Sequence, residues 1–299
     1  MPPANTPRPP PTEAVRFSSN AFTPAGLAYD AVSGRFLFGD RLARKLFIVS
    51  ESSNRASDFV RAEPAGFQDI AGIEIDARRG DLWVASTASA AGTGTLHKLQ
   101  LISGRALRSF PVAAELEPVS LVDLAVTAAG AVLVLDSVGM QLLILRPGGA
   151  ALERVVRLDV EEPASVTVEA DERVAYVAHR DGVARVDLQT RAVARLTASD
   201  SVPLAHLERI RWHDRALIAV RADENGSRRI VRLDLNARGR AVVRETTLES
   251  SISAAGSIFV TFWGDELVYL ADSSSRGNNG TAADASPPAE FVAYRIRLR

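Results

Sequence analysis

The chain of 299 residues contains no cysteine. Without thiols it can form no disulfide bond, no thiolate metal site and no cysteine nucleophile. It also has no run of about 18 apolar residues, so we expect no transmembrane helix. No basic start followed by an apolar stretch marks a signal peptide. The compartment stays open between the cytoplasm and, after trimming of a signal peptide, the periplasm or extracellular space.

An excess of either charge is also missing, because 35 basic residues balance 36 acidic ones. A net charge of −1 creates no field that would attract nucleic acid or an anionic membrane, so we expect neither as a partner. The sequence has no G-x-S-x-G elbow, no P-loop and no dinucleotide fingerprint. These absences give no support to a serine hydrolase or a nucleotide site.

Two segments differ in composition from the rest of the chain. Residues 1–12, MPPANTPRPPPT, are rich in proline, and we expect a disordered leader. Residues 273–290 are rich in Gly, Asn, Ala and Pro, which indicates a mobile insertion in a surface loop. The remainder, residues 13–299, is predicted to be a single domain.

Short strands recur along this domain, and no helical period persists. One apolar strand repeats as RFLFGD, DLWVAS, AVLVLD, VAYVAH, ALIAVR and LVYLAD, about 42 to 51 residues apart. An apolar strand and a tight turn precede each copy, and one or two further strands follow it. Six such units are typical of a six-bladed, all-β propeller with four-stranded antiparallel blades.

The two ends of the chain predict how the ring closes. The last unit stops at its third strand, while the chain begins with an unpaired strand-like segment at residues 13–19, EAVRFSS. We expect this segment to supply the fourth strand of the last blade, which would leave no open sheet edge. Because a closed ring does not force two copies together, we expect a monomer.

Three stretches carry a resemblance to known families: PAGLAYDAVSGRFLFGD, VDLAVTAAGAVLVLDS and PASVTVEADERVAYVAHRDGVARVDL. They resemble blades of NHL-repeat propellers and of the gluconolactonase and regucalcin group of SMP-30-like proteins. The resemblance implies a six-bladed propeller. For lactonases of that group it also implies one divalent cation at the channel mouth, held by a Glu of the first inner strand and Asn and Asp residues of later ones.

This chain departs from the lactonase pattern at those positions. The first inner strand opens with Pro24-Ala25-Gly26 instead of a Glu-Gly-Pro-like motif. The fourth has Pro163-Ala164-Ser165 without Asn, and the fifth has Glu208-Arg209 in place of Asp-Gly. Only one of these positions keeps a carboxylate.

Charged residues near the starts of inner strands are the best candidates for a site, because these strands line the channel. Three acids lie there: Asp69, Asp123 and Glu208. Carboxylates from three strands could hold Ca²⁺ or Mg²⁺. The same acids could instead pair with Arg209 or Arg211, or accept backbone N–H groups.

One position recurs at the end of the second strand of every unit. It is occupied in turn by Asp40, Ser86, Asp136, His179, Arg221 and Asp272. Asp, Ser and His can each cap the turn that follows, so we interpret this column as structural; Arg221 has no such explanation. His179 could alternatively act as a general base, which would require a partner and a bound substrate.

The predicted function is a non-catalytic propeller that binds a small ligand or a protein partner on one face of the channel. The expected ligand-binding residues at the channel mouth are Asp69, Asp123, Glu208, Arg209, Arg211 and His179. The alternative is a metal-dependent hydrolase of the lactonase type, with Ca²⁺ or Mg²⁺ on Asp69, Asp123 and Glu208.

Overall fold

The computed structural model describes residues 9–19, 21–223, 225–252, 256–272 and 289–298. The strands in these ranges form six four-stranded sheets arranged as a β-propeller. Every pairing within the sheets is antiparallel, so the predicted fold class is confirmed.

Blades one to three each use four consecutive strands, ordered from the channel outward. Blade one contains β2 (Pro24–Asp30), β3 (Arg35–Asp40), β4 (Lys45–Ser50) and β5 (Ala56–Val60). Blade two contains β6 (Asp69–Asp76), β7 (Asp81–Ala88), β8 (Thr93–Gln100) and β9 (Ala106–Pro111). Blade three contains β10 (Leu121–Val126), β11 (Val132–Asp136), β12 (Gln141–Leu145) and β13 (Glu153–Arg157).

Blades four to six complete the ring. Blade four contains β14 (Ser165–Val168), β15 (Val174–His179), β16 (Gly182–Asp187) and β17 (Val193–Arg195). Blade five contains β18 (Leu207–His213), β19 (Ala216–Ala222), β20 (Arg228–Leu235) and β21 (Val242–Ile252). Blade six contains β22 (Val260–Trp263), β23 (Glu266–Asp272), β24 (Ala289–Arg297) and β1 (Thr12–Ser19).

Helical structure in the described ranges is limited to two short connections, α1 (Ala62–Ala65) and a 3₁₀ turn at Ala114–Leu116. None of the helices described is long and apolar enough to cross a membrane.

The N-terminal strand closes the ring, as the sequence predicts. β1 pairs with β24 from Thr12 to Ser19. On its inner face Phe17 is 2% exposed and contacts the rings of Phe38, Phe47 and Phe291.

Most of the leader and the insertion predicted from composition fall outside the described residues. These parts are residues 1–8 of the leader and 273–288 of the insertion. The described ends of both segments are ordered, because Thr12 begins β1 and Ala289 begins β24.

The hydrophobic core consists of six clusters, each lying between two neighbouring blades. β11 shows why the second strands are continuously apolar: Val132 and Val134 pack toward blade two, whereas Leu133 and Leu135 pack toward blade four. Successive side chains of a strand point to opposite faces, so a strand between two blades is buried on both. This packing holds the inner strands around the channel.

Candidate functional site

The hydrogen-bond register aligns the inner strands of blades one to five. In each of these blades, the residue just before the recurring column, such as Ala178 before His179, pairs with a residue of the inner strand. These inner-strand residues define the first ring: Gly26, Gly72, Asp123, Ser165 and Arg209. The second ring lies two residues farther along, on the same face of each strand: Ala28, Glu74, Ala125, Thr167 and Arg211.

Packing excludes side chains from the first ring in blades one and two. A Cβ added at Gly26 would lie 2.8 Å from Cγ1 of Ile73. A Cβ added at Gly72 would lie 2.8 Å from Cδ2 of the buried Leu124. The polar groups of the first ring therefore come only from blades three, four and five.

Asp123 is the centre of this polar group and is 2% exposed. Arg211 donates two hydrogen bonds to its carboxylate, from Nη1 to Oδ2 at 3.0 Å and from Nη2 to Oδ1 at 3.2 Å. Ser165 Oγ donates to Oδ2 at 2.5 Å, and the backbone N–H of Val166 donates to the same oxygen at 3.0 Å. Burial alone would raise the pKa of Asp123, but Arg211 and Arg209 hold that pKa below its ordinary value.

Arg209 lies over this network and is 7% exposed. Its Nη1 is 3.6 Å from Oδ1 of Asp123 and donates to the carbonyls of Val122 and Ala164 at 3.3 and 3.4 Å. Its guanidinium carbon stands 4.6 Å from the centre of the Phe259 ring. The buried Nε of Arg209 has no hydrogen-bond acceptor in the described part of the chain. One donor of this buried cation is thus left available.

Glu74 of the second ring faces the same charges. Desolvation raises its pKa from the ordinary 4.5 to about 7, while Arg211 acts in the opposite direction and Asp123 adds to the rise. Glu74 therefore changes its charge near neutral pH.

A cleft at the channel mouth has a volume of about 670 Å³. This cleft, like a second one of about 470 Å³ elsewhere on the ring, is large enough to hold a small organic molecule. It lies where the inner strands begin, and we call it the mouth cleft. Of the predicted residues, His179, Glu208 and Arg209 line this cleft. Asp123 and Arg211 do not line it. They bond to each other beneath Arg209, which donates to the Val122 carbonyl.

The acids predicted to share a cation do not come together. Asp69 pairs with Arg44 at 3.0 Å, and Glu208 accepts two hydrogen bonds from Arg228, at 2.8 and 3.1 Å. Asp123 is enclosed by its own donors. No group of three or more His, Asp or Glu side chains in the described ranges is placed to hold a metal ion. Each acid of the predicted set, Asp69, Asp123 and Glu208, thus has an arginine partner in a different place.

His179 caps a turn rather than facing a carboxylate partner. The backbone N–H of Asp181 donates to its Nδ1 at 3.3 Å, which leaves the ring proton on Nε2. Burial lowers the pKa of His179, and the positive charge of Arg195 lowers it further, so the imidazole is neutral at pH 7.

Of the four other members of the column whose side chains the structure describes, two cap the following turn as the sequence predicts and two do not. The turn after Asp272 lies outside the described residues. Asp40 and Asp136 accept backbone N–H groups of the turns that follow them. Ser86 instead contacts the buried ring of His97 at 2.9 Å. Arg221 forms a two-bonded ion pair with Glu245, at 3.0 and 2.7 Å, which accounts for the residue that sequence reasoning left unexplained.

Sequence reasoning missed Arg41, which lines both the mouth cleft and an adjoining pocket of about 250 Å³. No acidic side chain in the described ranges pairs with its guanidinium. Phe22, Phe259 and Phe291 line the adjoining pocket. Arg41 follows Asp40 directly, but nothing in the repeat pattern distinguishes it from the other polar residues of the turns.

Comparison by sequence identifies no relative: no protein-family model matches the chain, and no curated protein matches it. Comparison of structures does find similar proteins. Regucalcin from Agrobacterium tumefaciens, a calcium-binding protein, is 14% identical with a TM-score of 0.61, over 96% of this chain and 98% of that one. A luciferin-regenerating enzyme is 12% identical with a TM-score of 0.61, over 97% and 96%.

Another similar structure is the PQQ-bound aldose sugar dehydrogenase from Streptomyces coelicolor, at 12% identity and a TM-score of 0.61, over 97% and 100% of the two chains. At such identities the likeness establishes the fold. The calcium site that the resemblance implies does not fit the residues present. The packing around Gly26 leaves no room for a carboxylate in the first ring, and Arg209 and Arg211 already pair with the carboxylate of Asp123. The chain thus has the six-bladed propeller fold of the gluconolactonase and regucalcin-like proteins.

Proposed function

We propose that this protein is a monomeric, non-catalytic propeller that binds a small organic acid in the mouth cleft. The observation that carries the proposal is the pair of arginines there. Arg41 has no acidic partner in the described residues, and the buried Nε of Arg209 has no acceptor. Buried donors without a partner are costly, so an anion that accepts from them would be stabilised.

The other charges of the cleft are already neutralised. Arg180 pairs with Glu161 and Glu162, and Glu208 pairs with Arg228. The remaining positive charge belongs to Arg41 and to Arg209, because Arg209 shares the single charge of Asp123 with Arg211. Burial lowers the pKa of Arg209, and the charges of Arg211 and Arg41 lower it further. This balance favours a ligand with a negative group.

The adjoining pocket indicates the rest of the ligand. It shares Arg41 and Ser257 with the mouth cleft, and three phenylalanines line it. A carboxylate bound by Arg41 and Arg209 would place an attached apolar group toward these rings. An aromatic or short aliphatic monocarboxylate fits this combination of charge and apolar surface.

Thermal melting of the full chain tests the proposal with benzoate, acetate, benzyl alcohol, Ca²⁺ and Mg²⁺. A ligand of the folded state raises the midpoint by mass action, equivalent to about 2.7 kcal/mol at 100 times its Kd. We expect benzoate to raise the midpoint more than acetate, and benzyl alcohol and the cations to leave it unchanged.

The variant Arg41→Gln should remove the benzoate effect, whereas Arg44→Gln in the same turn, where Arg44 pairs with Asp69, should keep it. A shift with Ca²⁺ or Mg²⁺ and none with benzoate would contradict the proposal and favour the lactonase-type alternative.

A further inference from the structure

A second cleft, of about 470 Å³, lies on the opposite face of the ring between blades four and five. Three hairpin turns form it: β14–β15 (residues 169–174), β18–β19 (residues 212–215) and β20–β21 (residues 235–239). The first two turns follow the ends of the inner strands β14 and β18, and the third joins the two outer strands of blade five on the same side, whereas the mouth cleft lies at the starts of the inner strands. We call it the hairpin cleft.

Arginines outnumber acids in its lining by four to three, and each acid has a hydrogen bond or ion pair of its own. The arginines are Arg173, Arg185, Arg215 and Arg238. Glu169 accepts the hydroxyl of Tyr176 at 2.6 Å, and Asp187 accepts the backbone N–H of Thr190 at 2.7 Å. Asp171 lies 3.9 Å from Arg173.

Three guanidinium groups therefore keep unused donors. Neither Arg215 nor Arg238 has an acidic partner within the described ranges. The Nε of Arg185 is buried and has no acceptor there. A buried donor without an acceptor, in a cleft whose lining has one more positive than negative side chain, is an environment that an anion would satisfy.

The backbone brings Arg215 to this position at a cost in strain. Asp214 and Arg215 form the two-residue turn between β18 and β19 with φ of 45° and 58°. Such turns favour Gly at these positions, since side chains rarely adopt positive φ.

The walls of the cleft are preformed. Trp212 stacks on Tyr176 with ring centres 5.8 Å apart and an interplanar angle of 4°. The hydroxyl oxygen of Tyr176 also lies 2.9 Å from the carbonyl oxygen of Gly239, which places the third turn against blade four. An isolated bridge between Thr197 and Ala241 joins the two blades nearby.

We propose that the hairpin cleft binds the phosphate group of a small organic phosphate monoester. Guanidinium groups from three separate elements, at Arg185, Arg215 and Arg238, suit a group with three terminal oxygens and nearly two negative charges better than a carboxylate with two. The indole of Trp212 provides apolar surface for the organic part.

Titration calorimetry on the full chain in a phosphate-free buffer tests this site with phenyl phosphate, inorganic phosphate and phenol. We expect phenyl phosphate to bind more tightly than inorganic phosphate, and phenol not to bind. Arg238→Gln and Arg215→Gly should each weaken phenyl phosphate binding at least about tenfold. Because Gly relieves the positive φ, Arg215→Gly should melt at or above the wild-type temperature.

Two controls separate this site from the rest of the surface. Arg146→Gln removes an exposed arginine that pairs with Glu153, and it should bind phenyl phosphate as the wild type does. Arg41→Gln alters the mouth cleft and its adjoining pocket, and it should keep the component of phenyl phosphate binding that Arg215→Gly weakens, whether or not the mouth cleft binds organic acids. The proposal is overturned if no phosphate compound binds, if phenol binds equally well, or if Arg41→Gln abolishes binding that Arg215→Gly retains.

Discussion

Asp123 occupies one position of the first ring, and its surroundings decide its role. Its carboxylate accepts four hydrogen bonds, from Arg211, Ser165 and the backbone of Val166. A carboxylate with its oxygens engaged in this way serves to neutralise buried arginines. Asp69 is also near a strand start, but it forms a half-exposed pair with Arg44.

Replacing Asp123 by Asn should strongly destabilise the protein. The substitution leaves Arg209 and Arg211 buried without their counter-charge, and breaking a buried ion pair in this way costs about 3–5 kcal/mol. Asp69→Asn is the matched control, because exposed pairs contribute roughly 0–1 kcal/mol. Urea unfolding of the two variants measures the difference, and equal free energies of unfolding would contradict this account of Asp123.

At the scale of elements, β1 determines how the ring is completed. Seven of the eight residues of β1 pair with β24 from the other end of the chain, so blade six is complete only when both ends meet. The aromatic cluster around Phe17 joins blade six to blade one.

Phe17→Ala should test how much this closure contributes to stability. Phe17 is 2% exposed, and truncating a buried Phe costs about 3–5 kcal/mol of unfolding free energy. Arg16→Ala on the same strand changes a partly exposed residue that pairs with Glu13 and Glu290, and should have little effect. Chemical denaturation followed by tryptophan fluorescence gives both values; a Phe17→Ala midpoint close to that of Arg16→Ala would show that the closing strand contributes little.

Over the whole molecule, charged residues from three blades meet in the channel, and their balance depends on pH. Glu74 comes from blade two and Arg211 from blade five, and neither strand carries a local sign of the other. Since the folded-state pKa of Glu74 is raised to about 7, the folded protein binds a proton that the unfolded chain releases above about 4.5.

The stability that Glu74 contributes should therefore be lost as pH rises from about 4.5 through 7, by at most about 1.4 kcal/mol per pH unit. In Glu74→Gln this loss is absent, so the variant gains relative to the wild type as pH rises and the difference levels off above about pH 8. Unfolding free energies measured from pH 4.5 to 8.5 test this sign. The exposed Glu153→Gln should follow the wild-type curve, and a Glu74→Gln curve parallel to the wild type would refute the role of Glu74.

The sequence by itself determined the fold, because local patterns repeat. Period-two strands, tight turns and six copies of one unit predict a propeller, and the missing fourth strand predicts closure by residues 13–19. Capping by Asp40 and Asp136 was also readable, since a side chain that bonds to the following turn acts within a few residues.

Only the tertiary structure decided which charges meet. Asp123 and Arg211 are 88 residues apart, and the ring places them in contact across the channel. Arg41, Arg215 and Arg238 stand out because no acidic side chain within the described ranges pairs with them. Pairing between blades depends on register and on the close packing at Gly26 and Gly72, which no short stretch of sequence records. Local periodicity therefore specifies the scaffold, whereas long-range geometry and desolvation specify the sites.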